Sequence, residues 1–352
     1  MATEFPSELG CLATLPRVKL FSGKTPIQPM PVLAKSCGAQ SKFFVKRDDC
    51  TELAFGGNKV RQLEFYLGKA FNQNADTILI TGAVQSNFVR LATAGANKLG
   101  MTCHVQLEER VKTDNPLHHS SGNVLLDQLM GATLYSYPDG EDEAGADRQL
   151  GQIADDLRAA GRRPYIIPLA PGHPPLGALG YVVAAHEMLK QIDKNKLAID
   201  EIVVASGSGN THGGLLFGLR ALGSSIKVTG ICVRRDAASQ KSRLAKRCLE
   251  IAELLAVSSK VTDDDIILID DFLAPGYGIA SEACMKAILL AARTESLMLD
   301  PTYTGKSMAG FIHRAENVPS NSGLLYLHTG GLPEIFAYQD ELREAMVAGV
   351  DA

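Results

Sequence analysis

The chain has 352 residues, 45% apolar and 21% charged, an ordinary composition for a folded protein of about two domains. A net charge of −4 without a long Lys/Arg run argues against a nucleic-acid-binding strip. No apolar run reaches the ~18 residues of a membrane span, and the opening Met1-Ala-Thr-Glu-Phe-Pro-Ser-Glu8 lacks the basic and apolar regions of a secretory signal. Cys11, Cys37, Cys50, Cys103, Cys232, Cys248 and Cys284 form an odd, scattered set without CxxC spacing. That pattern argues against a disulfide framework or a structural zinc site, and reads as small core hydrophobes in a reducing, cytoplasmic setting.

From about residue 76, short β-branched runs alternate with helical periodicity. Strands are expected at Thr77–Thr81, Thr102–Leu107, Ala132–Tyr135 and Pro164–Pro168, with helices through Leu99, near 122–130 and over 143–160. The pattern restarts with strands at Glu201–Ala205, Ile226–Val233, Asp265–Ile269 and Leu324–His328. Helices are expected there over 212–222, 239–256 and 280–293. Such alternation predicts a three-layer α/β protein with parallel sheets and helical crossovers. The polar segment 108–120 reads as an exposed loop.

Three segments can carry chemistry. In Gly56-Gly-Asn-Lys59 the glycines let backbone approach a ligand closely, and lysine is the residue that forms Schiff bases with carbonyl groups. Alone, this tetrapeptide is more often a surface turn. Ala205-Ser-Gly-Ser-Gly-Asn-Thr-His-Gly-Gly214 lies between a strand and a helix, where exposed N–H groups and the helix dipole favour an anion. It is no Walker loop, because no Gly-Lys-Ser/Thr follows. It also lacks the acidic ribose reader of a dinucleotide site, so a short phosphate monoester fits better than a nucleotide. A tight turn with packing glycines is the alternative. In Gly82-Ala-Val-Gln-Ser-Asn87, Ser86 and Asn87 stand at a helix start, where they either cap the helix or bind a carboxylate.

Together the three motifs resemble the fold type II pyridoxal 5′-phosphate (PLP) enzymes of the 1-aminocyclopropane-1-carboxylate deaminase / D-cysteine desulfhydrase family. Val45-Lys-Arg-Asp-Asp49, Leu176-Gly-Ala-Leu-Gly-Tyr181, Ala274-Pro-Gly-Tyr-Gly278, Leu299-Asp-Pro-Thr-Tyr-Thr-Gly-Lys-Ser307 and His328-Thr-Gly-Gly331 extend the likeness over about residues 16–340. The resemblance implies two open, twisted, mainly parallel sheets flanked by helices, as in tryptophan synthase β. It implies a large PLP-binding domain of residues 1–61 plus 176–352, a small domain of residues 62–175, and a homodimer. Lys59 would carry the cofactor and move the substrate Cα proton, with Asn58 beside it. Gly207, Ser208, Gly209, Asn210 and Thr211 would cradle the phosphate. Asn87 would meet the phenolic oxygen and Thr329 the pyridine nitrogen. Tyr277 would lie against the ring or near the substrate, and Tyr303 would exchange a proton with the departing side chain; with Lys59 and Ser86 these would form the catalytic set. Ser86, Asn87 and Phe88 would face the substrate carboxylate.

After the second tyrosine, ring-opening deaminases of the family carry glutamate, whereas this chain has Thr304, as the desulfhydrases do. The expected reaction is therefore β-elimination from a small amino acid, D-cysteine first, then 3-chloro-D-alanine and L-cysteate. Ring opening, a catalytically impaired PLP or amino-acid binder and a nucleotide-dependent enzyme are the competing readings. The chain departs from the family pattern at Phe88 (usually His or Gln), at Gln62 (usually Lys), at Asn210 (usually Gly or Ala) and in the turn 170–175.

Overall fold

A computed structural model describes residues 5–168 and 172–348; Ala170 and Pro171 of the turn 170–175 thus lie outside the described residues. The first half of the chain runs β1 (Ile27–Pro29), α1 (Pro31–Ser36), β2 (Lys42–Arg47), α2 (Lys59–Asn72), β3 (Thr77–Ala83), α3 (Asn87–Lys98), β4 (Thr102–Glu108), α4 (Leu117–Ser120), α5 (Gly122–Leu129), β5 (Thr133–Tyr137), α6 (Glu143–Ala159) and β6 (Pro164–Ile167). The second half runs α7 (Leu176–Lys194), β7 (Glu201–Ser206), α8 (Asn210–Ala221), β8 (Lys227–Cys232), α9 (Ala237–Leu255), β9 (Ile267–Ile269), α10 (Glu282–Glu295), α11 (Thr304–Ala315), β10 (Gly323–His328) and α12 (Gln339–Val347).

The strands form two open sheets, ordered β1-β2-β10-β7-β8-β9 and β5-β4-β3-β6. Pairing is parallel except where β1 meets β2. Successive strand residues face opposite sides, and helices on both sides bury both sets, which is why these strands read as solid apolar runs. Val203, Leu324 and Tyr326 thus pack with Ile288, Met308 and Phe311. Ile202, Val204, Leu325 and Leu327 pack with Met188, Leu215 and Leu219 on the other face. In the smaller sheet Ile78 and Ile80 join a core shared with α2, α3 and α7, while Leu79 meets Leu150 and Ile153 of α6.

Two glycines let three helices touch backbone to backbone. A Cβ on Gly180 of α7 would collide with the Arg61 carbonyl of α2, and one on Gly214 of α8 with the Ala178 carbonyl of α7. A buried ion network tightens the same joint: Arg61 donates to Asp48 at 2.9 Å and to Glu187 of α7 at 2.8 Å, and Lys46 reaches Glu187 at 2.6 Å. The order of the larger sheet reverses between β7 and β10, and α/β proteins bind ligands outside the carboxyl ends at such a switch point. The loops 207–209 and 329–331 leave the sheet there.

Several expectations need correction. The regular pattern starts before residue 76, with β1, β2 and α2, and the expected elements leave out α7. Its first three turns are buried almost all round, so no amphipathic stripe marks it. The expected strand 265–269 begins at Ile267, because Asp265 closes a capping box with Thr262 over the turn 263–265. Helix α8 starts two residues earlier than expected, placing Asn210 and Thr211 in its first turn. Segment 108–120 is not simply exposed: Glu108 and His118 are buried, and the His118 carbonyl accepts from Gln85 Nε2 at 2.6 Å. Among the cysteines, Cys103, Cys232, Cys248 and Cys284 are core residues, whereas Cys50 is exposed and Cys11 and Cys37 are half-buried. No helix among the described residues is long and apolar enough to cross a membrane.

Candidate active site

Lys59 opens α2 and points into a cavity between the two sheets. The cavity is walled by Asn58, by Ser86, Asn87 and Phe88 from the start of α3, by Gly207, Ser208, Gly209 and Thr211 after β7, and by Tyr303 and Thr329. An adjoining cavity shares Lys59, Ser86, Phe88 and Tyr303 and adds Asn210 and Tyr277. Residues far apart in sequence are thus brought to one crevice.

The Lys59 ammonium has no ion-pair or hydrogen-bond partner among the described residues; it stands 5.4 Å over the centre of the Phe88 ring. Burial alone lowers its pKa to about 8, so about a tenth of it is the neutral amine at pH 7, against well under a thousandth for a free lysine. Phe88 is itself buried against Tyr66, with ring centroids 6.1 Å apart.

Gly209 precedes α8 with a φ of 92°, a left-handed cap that turns the first amides of the helix inward. Those amides have no partner within the helix and carry its positive dipole end. Thr211 Oγ1 accepts from Asn58 Nδ2 at 2.8 Å and from Gln62 Nε2 at 2.9 Å. A hydroxyl has two acceptor sites and one proton, so that proton remains for a third group. Arg243 and Arg235 donate to the outer carbonyls of Ser208 (3.0 Å) and Gly207 (3.5 Å). His212, behind the loop, is kept neutral by burial, its pKa lowered to about 4.

Ser86 caps α3, accepting from Val89 N at 3.3 Å. Capping uses the hydroxyl oxygen and leaves its proton, so the two readings of Ser86 are compatible. The Asn87 carbonyl oxygen is taken by Arg90 at 3.2 Å and Asn123 at 3.1 Å, and its Nδ2 donates to Glu334 at 3.3 Å. Tyr277 and Tyr303 share a short hydrogen bond between their hydroxyls, with rings edge to face. Burial raises both hydroxyls, so both stay protonated at neutral pH.

Thr304 does not line either cavity; it is fully buried one layer behind. Its hydroxyl donates to the Asp300 carboxylate and accepts from Asp300 N at 2.7 Å. Asp300 also accepts from the backbone N–H of Thr302 (3.0 Å), Tyr303 (2.6 Å) and Thr304 (3.2 Å). A carboxylate has about four lone-pair sites, so Asp300 is saturated although it borders the cavity.

Several site residues were not anticipated: Asp300, His212, Gly330 and Gly331 in the inner cavity, and Glu108, Arg110, Glu143, Asp147, Arg234, Arg235 and Arg243 at its mouth. Asp300 had a signal, since an Asp-Pro-Thr-Tyr-Thr run places a capping carboxylate before a helix. The mouth residues had none, because they meet only through the fold. Arg234 and Arg235 share Glu143 at 3.2 and 3.3 Å, and Arg110 holds Glu108 at 2.7 Å.

A desolvated lysine facing helix-start amides, a free threonine proton and an asparagine donor matches the needs of an aldehyde cofactor with a phosphate tail. Comparison with known proteins agrees. The family model of pyridoxal-phosphate dependent enzymes matches residues 18–330. D-cysteine desulfhydrase of Klebsiella pneumoniae is 40% identical over 333 residues, covering 94% of this chain and 98% of that protein. The Salmonella typhi D-cysteine desulfhydrase is 40% identical over 329 residues, covering 93% and 97%. A crystal structure of an ACC deaminase homologue superposes with a TM-score of 0.85 at 36% identity, over 97% of this chain and 99% of the other. O-ureido-L-serine synthase, at 16% identity and a TM-score of 0.65 over 94% of this chain and 95% of that one, shares the fold. The chain belongs to the pyridoxal-phosphate dependent enzymes, within the group of D-cysteine desulfhydrases and ACC deaminase homologues.

Proposed function

We propose that the chain is a PLP-dependent lyase that eliminates the β-substituent of a small amino acid, with D-cysteine and water giving pyruvate, ammonia and sulfide. The observation that carries this is Lys59, desolvated and unpaired among the described residues, facing the α8 amides across one cavity. The 40% identity with D-cysteine desulfhydrases over nearly the whole chain supports the substrate.

PLP, when bound, supplies the aldehyde that joins Lys59 and an electron sink for the Cα electron pair. Gly207, Ser208, Gly209, Asn210 and Thr211 would hold the phosphate through backbone N–H groups and the free Thr211 proton, beside Asn58. Asn87, whose Nδ2 keeps one proton beyond the one it gives Glu334, would donate to the phenolic oxygen, and Thr329 would face the pyridine nitrogen. Asp300, saturated by its four donors, would not be free to hold a proton on that nitrogen, and Thr329 offers only a hydroxyl there. The resulting weaker sink suits loss of a good leaving group better than ring opening.

Ser86 and the amides of Asn87 and Phe88 at the α3 start orient the substrate carboxylate. Lys59, as the neutral amine, takes the Cα proton. Tyr303, protonated and paired with Tyr277, hands its proton to the leaving sulfur. The large domain of residues 1–61 plus 176–352 holds the phosphate cradle, and the small domain of residues 62–175 brings the carboxylate loop. A cytoplasmic homodimer completes this reading.

A second substrate has an observation of its own: at the mouth Arg110, Arg234, Arg235 and Arg243 outnumber the carboxylates of Glu108, Glu143 and Asp147 that partly pair with them, and this positive excess favours an anionic leaving group such as the sulfonate of L-cysteate. Purified protein should show a Schiff-base band near ~410–430 nm that disappears in Lys59→Ala. It should release sulfide from D-cysteine, chloride from 3-chloro-D-alanine or sulfite from L-cysteate. Formation of 2-oxobutyrate from the cyclopropane substrate alone would sink the elimination reading. A yellow protein inert towards the whole panel would leave a binding protein.

A further inference from the structure

The residues leading into Lys59 have an improbable backbone. Ala54, Phe55, Gly56 and Gly57 take φ values of 41°, 67°, 64° and 129°, four positive angles in succession. Ala54 and Phe55 carry a Cβ that disfavours this region, and burial of the Phe55 ring does not offset it, because that ring is exposed. Such conformations persist only where the surroundings over-determine them.

Arg90, fully buried on α3, meets this segment. Its guanidinium donates to the Ala54 carbonyl, to the Gly56 carbonyl at 3.3 Å, to Asn87 Oδ1 at 3.2 Å and to Asn123 Oδ1 at 2.7 Å. All four acceptors are neutral, and no carboxylate forms an ion pair with Arg90 among the described residues. A buried cation without a direct ion pair is costly, and burial lowers its pKa to about 10, only partly offset by Asp127 and Glu334 further off. Only a planar fork can serve two carbonyls and two amides at once. By occupying the Asn87 oxygen, the fork also fixes which way the Asn87 amide faces, with its Nδ2 giving one proton to Glu334 at 3.3 Å and keeping the other.

We propose that Arg90 is a positioning residue whose guanidinium clamps the left-handed loop 54–57, so that Lys59 and the Asn87 amino group are preset for the cofactor. The clamp rests on the reading of Lys59 as the cofactor lysine. Gly57 N, donating to Thr51 Oγ1 at 2.7 Å, and Asn58 N, donating to the Thr329 carbonyl at 2.9 Å, fix the far end of the same loop.

The test is a PLP titration of cofactor-free protein, followed by the Lys59-dependent absorbance. Arg90→Lys keeps the charge but not the fork, and PLP affinity should fall about tenfold or more. Ala54→Gly removes the Cβ penalty at that position. Alone it should leave affinity within about twofold, and in the Arg90→Lys background it should recover most of the loss. Asn123→Ala, which frees one branch of the fork, should weaken PLP by about threefold and serves if Arg90→Lys does not fold. Unchanged PLP affinity in Arg90→Lys with only a lower melting temperature would overturn the clamp, as would failure of Ala54→Gly to rescue. A band that survives Lys59→Ala would instead sink the cofactor reading itself.

Discussion

Replacing Lys59 by methionine should make the cofactor-free protein more stable, because the lysine pays for its readiness to react. Burial holds the ammonium at about 8, against 10.5 for a free lysine. At about 1.4 kcal/mol per pH unit, charged Lys59 costs the fold about 3 kcal/mol. The Phe88 face, worth about 0.5–1 kcal/mol to a cation, offsets part of that cost. Methionine has a similar length and no charge, so about 2 kcal/mol should be recovered at pH 7. For a chain of this size that is a rise in melting temperature of about 2–4 °C. The pH sign follows from linkage. Between about 8 and 10.5 the unfolded chain holds the proton more tightly than the fold, so wild-type stability rises with pH and the advantage of Lys59→Met closes. Thermal melts of both cofactor-free proteins at pH 7 and pH 10 check this. A variant that melts at or below wild type at pH 7, or with the same advantage at both pH values, would refute the reasoning.

Tyr303→Phe should lower kcat for pyruvate release by about 10²–10⁴-fold with little change in KM, since the lost proton acts only on the leaving group; a kcat within tenfold of wild type would remove Tyr303 from that step. Gly331→Ala would drive a methyl into the Asp300 carboxylate at a φ of 102°, and should cost more than about 3 kcal/mol in denaturant melts. Gly151→Ala, in open space on α6, should instead gain about 0.5–1 kcal/mol. Gln62→Lys places a cation in a fully buried site beside Thr211. It should lower the melting temperature of the cofactor-free protein and tighten PLP, as read by absorbance titration; weaker PLP binding would show that the phosphate does not lie near residue 62.

Much of this was legible in the sequence, because the deciding signals are local. β7 and β10 announce themselves as apolar runs, and Gly207–Thr211 carries its own turn chemistry. The residues from 56 to 59 alone read as a surface turn, and it was their company with Asn87, the phosphate loop and Thr329 that suggested a cofactor. Legibility failed where a residue acts through distant partners. Arg90 on α3 looks like any helical arginine until Ala54 and Gly56 lie beneath it. Arg110 looks like part of a solvated loop until Glu108 and the two tyrosines surround it. Helix α7 escaped notice because burial on nearly all sides erases helical periodicity. In the sequence Phe88 stands out as a departure from His or Gln beside the substrate carboxylate, whereas the fold also makes it the surface under the Lys59 ammonium.

The glycine contacts among α2, α7 and α8 have a further consequence. α2 begins at Lys59 and α8 just after the loop 207–209, and both are seated backbone to backbone on α7. On the proposed reading the residues that would grip the cofactor therefore sit on one block, with little freedom to shift relative to one another. The facing wall, built from Ser86, Phe88 and the mouth residues of α6, is attached through a different sheet. Changes there can retune which amino acid is accepted while the cofactor stays in register, so new substrates should be sought, in the laboratory as in divergence, on the α3 and α6 side of the crevice.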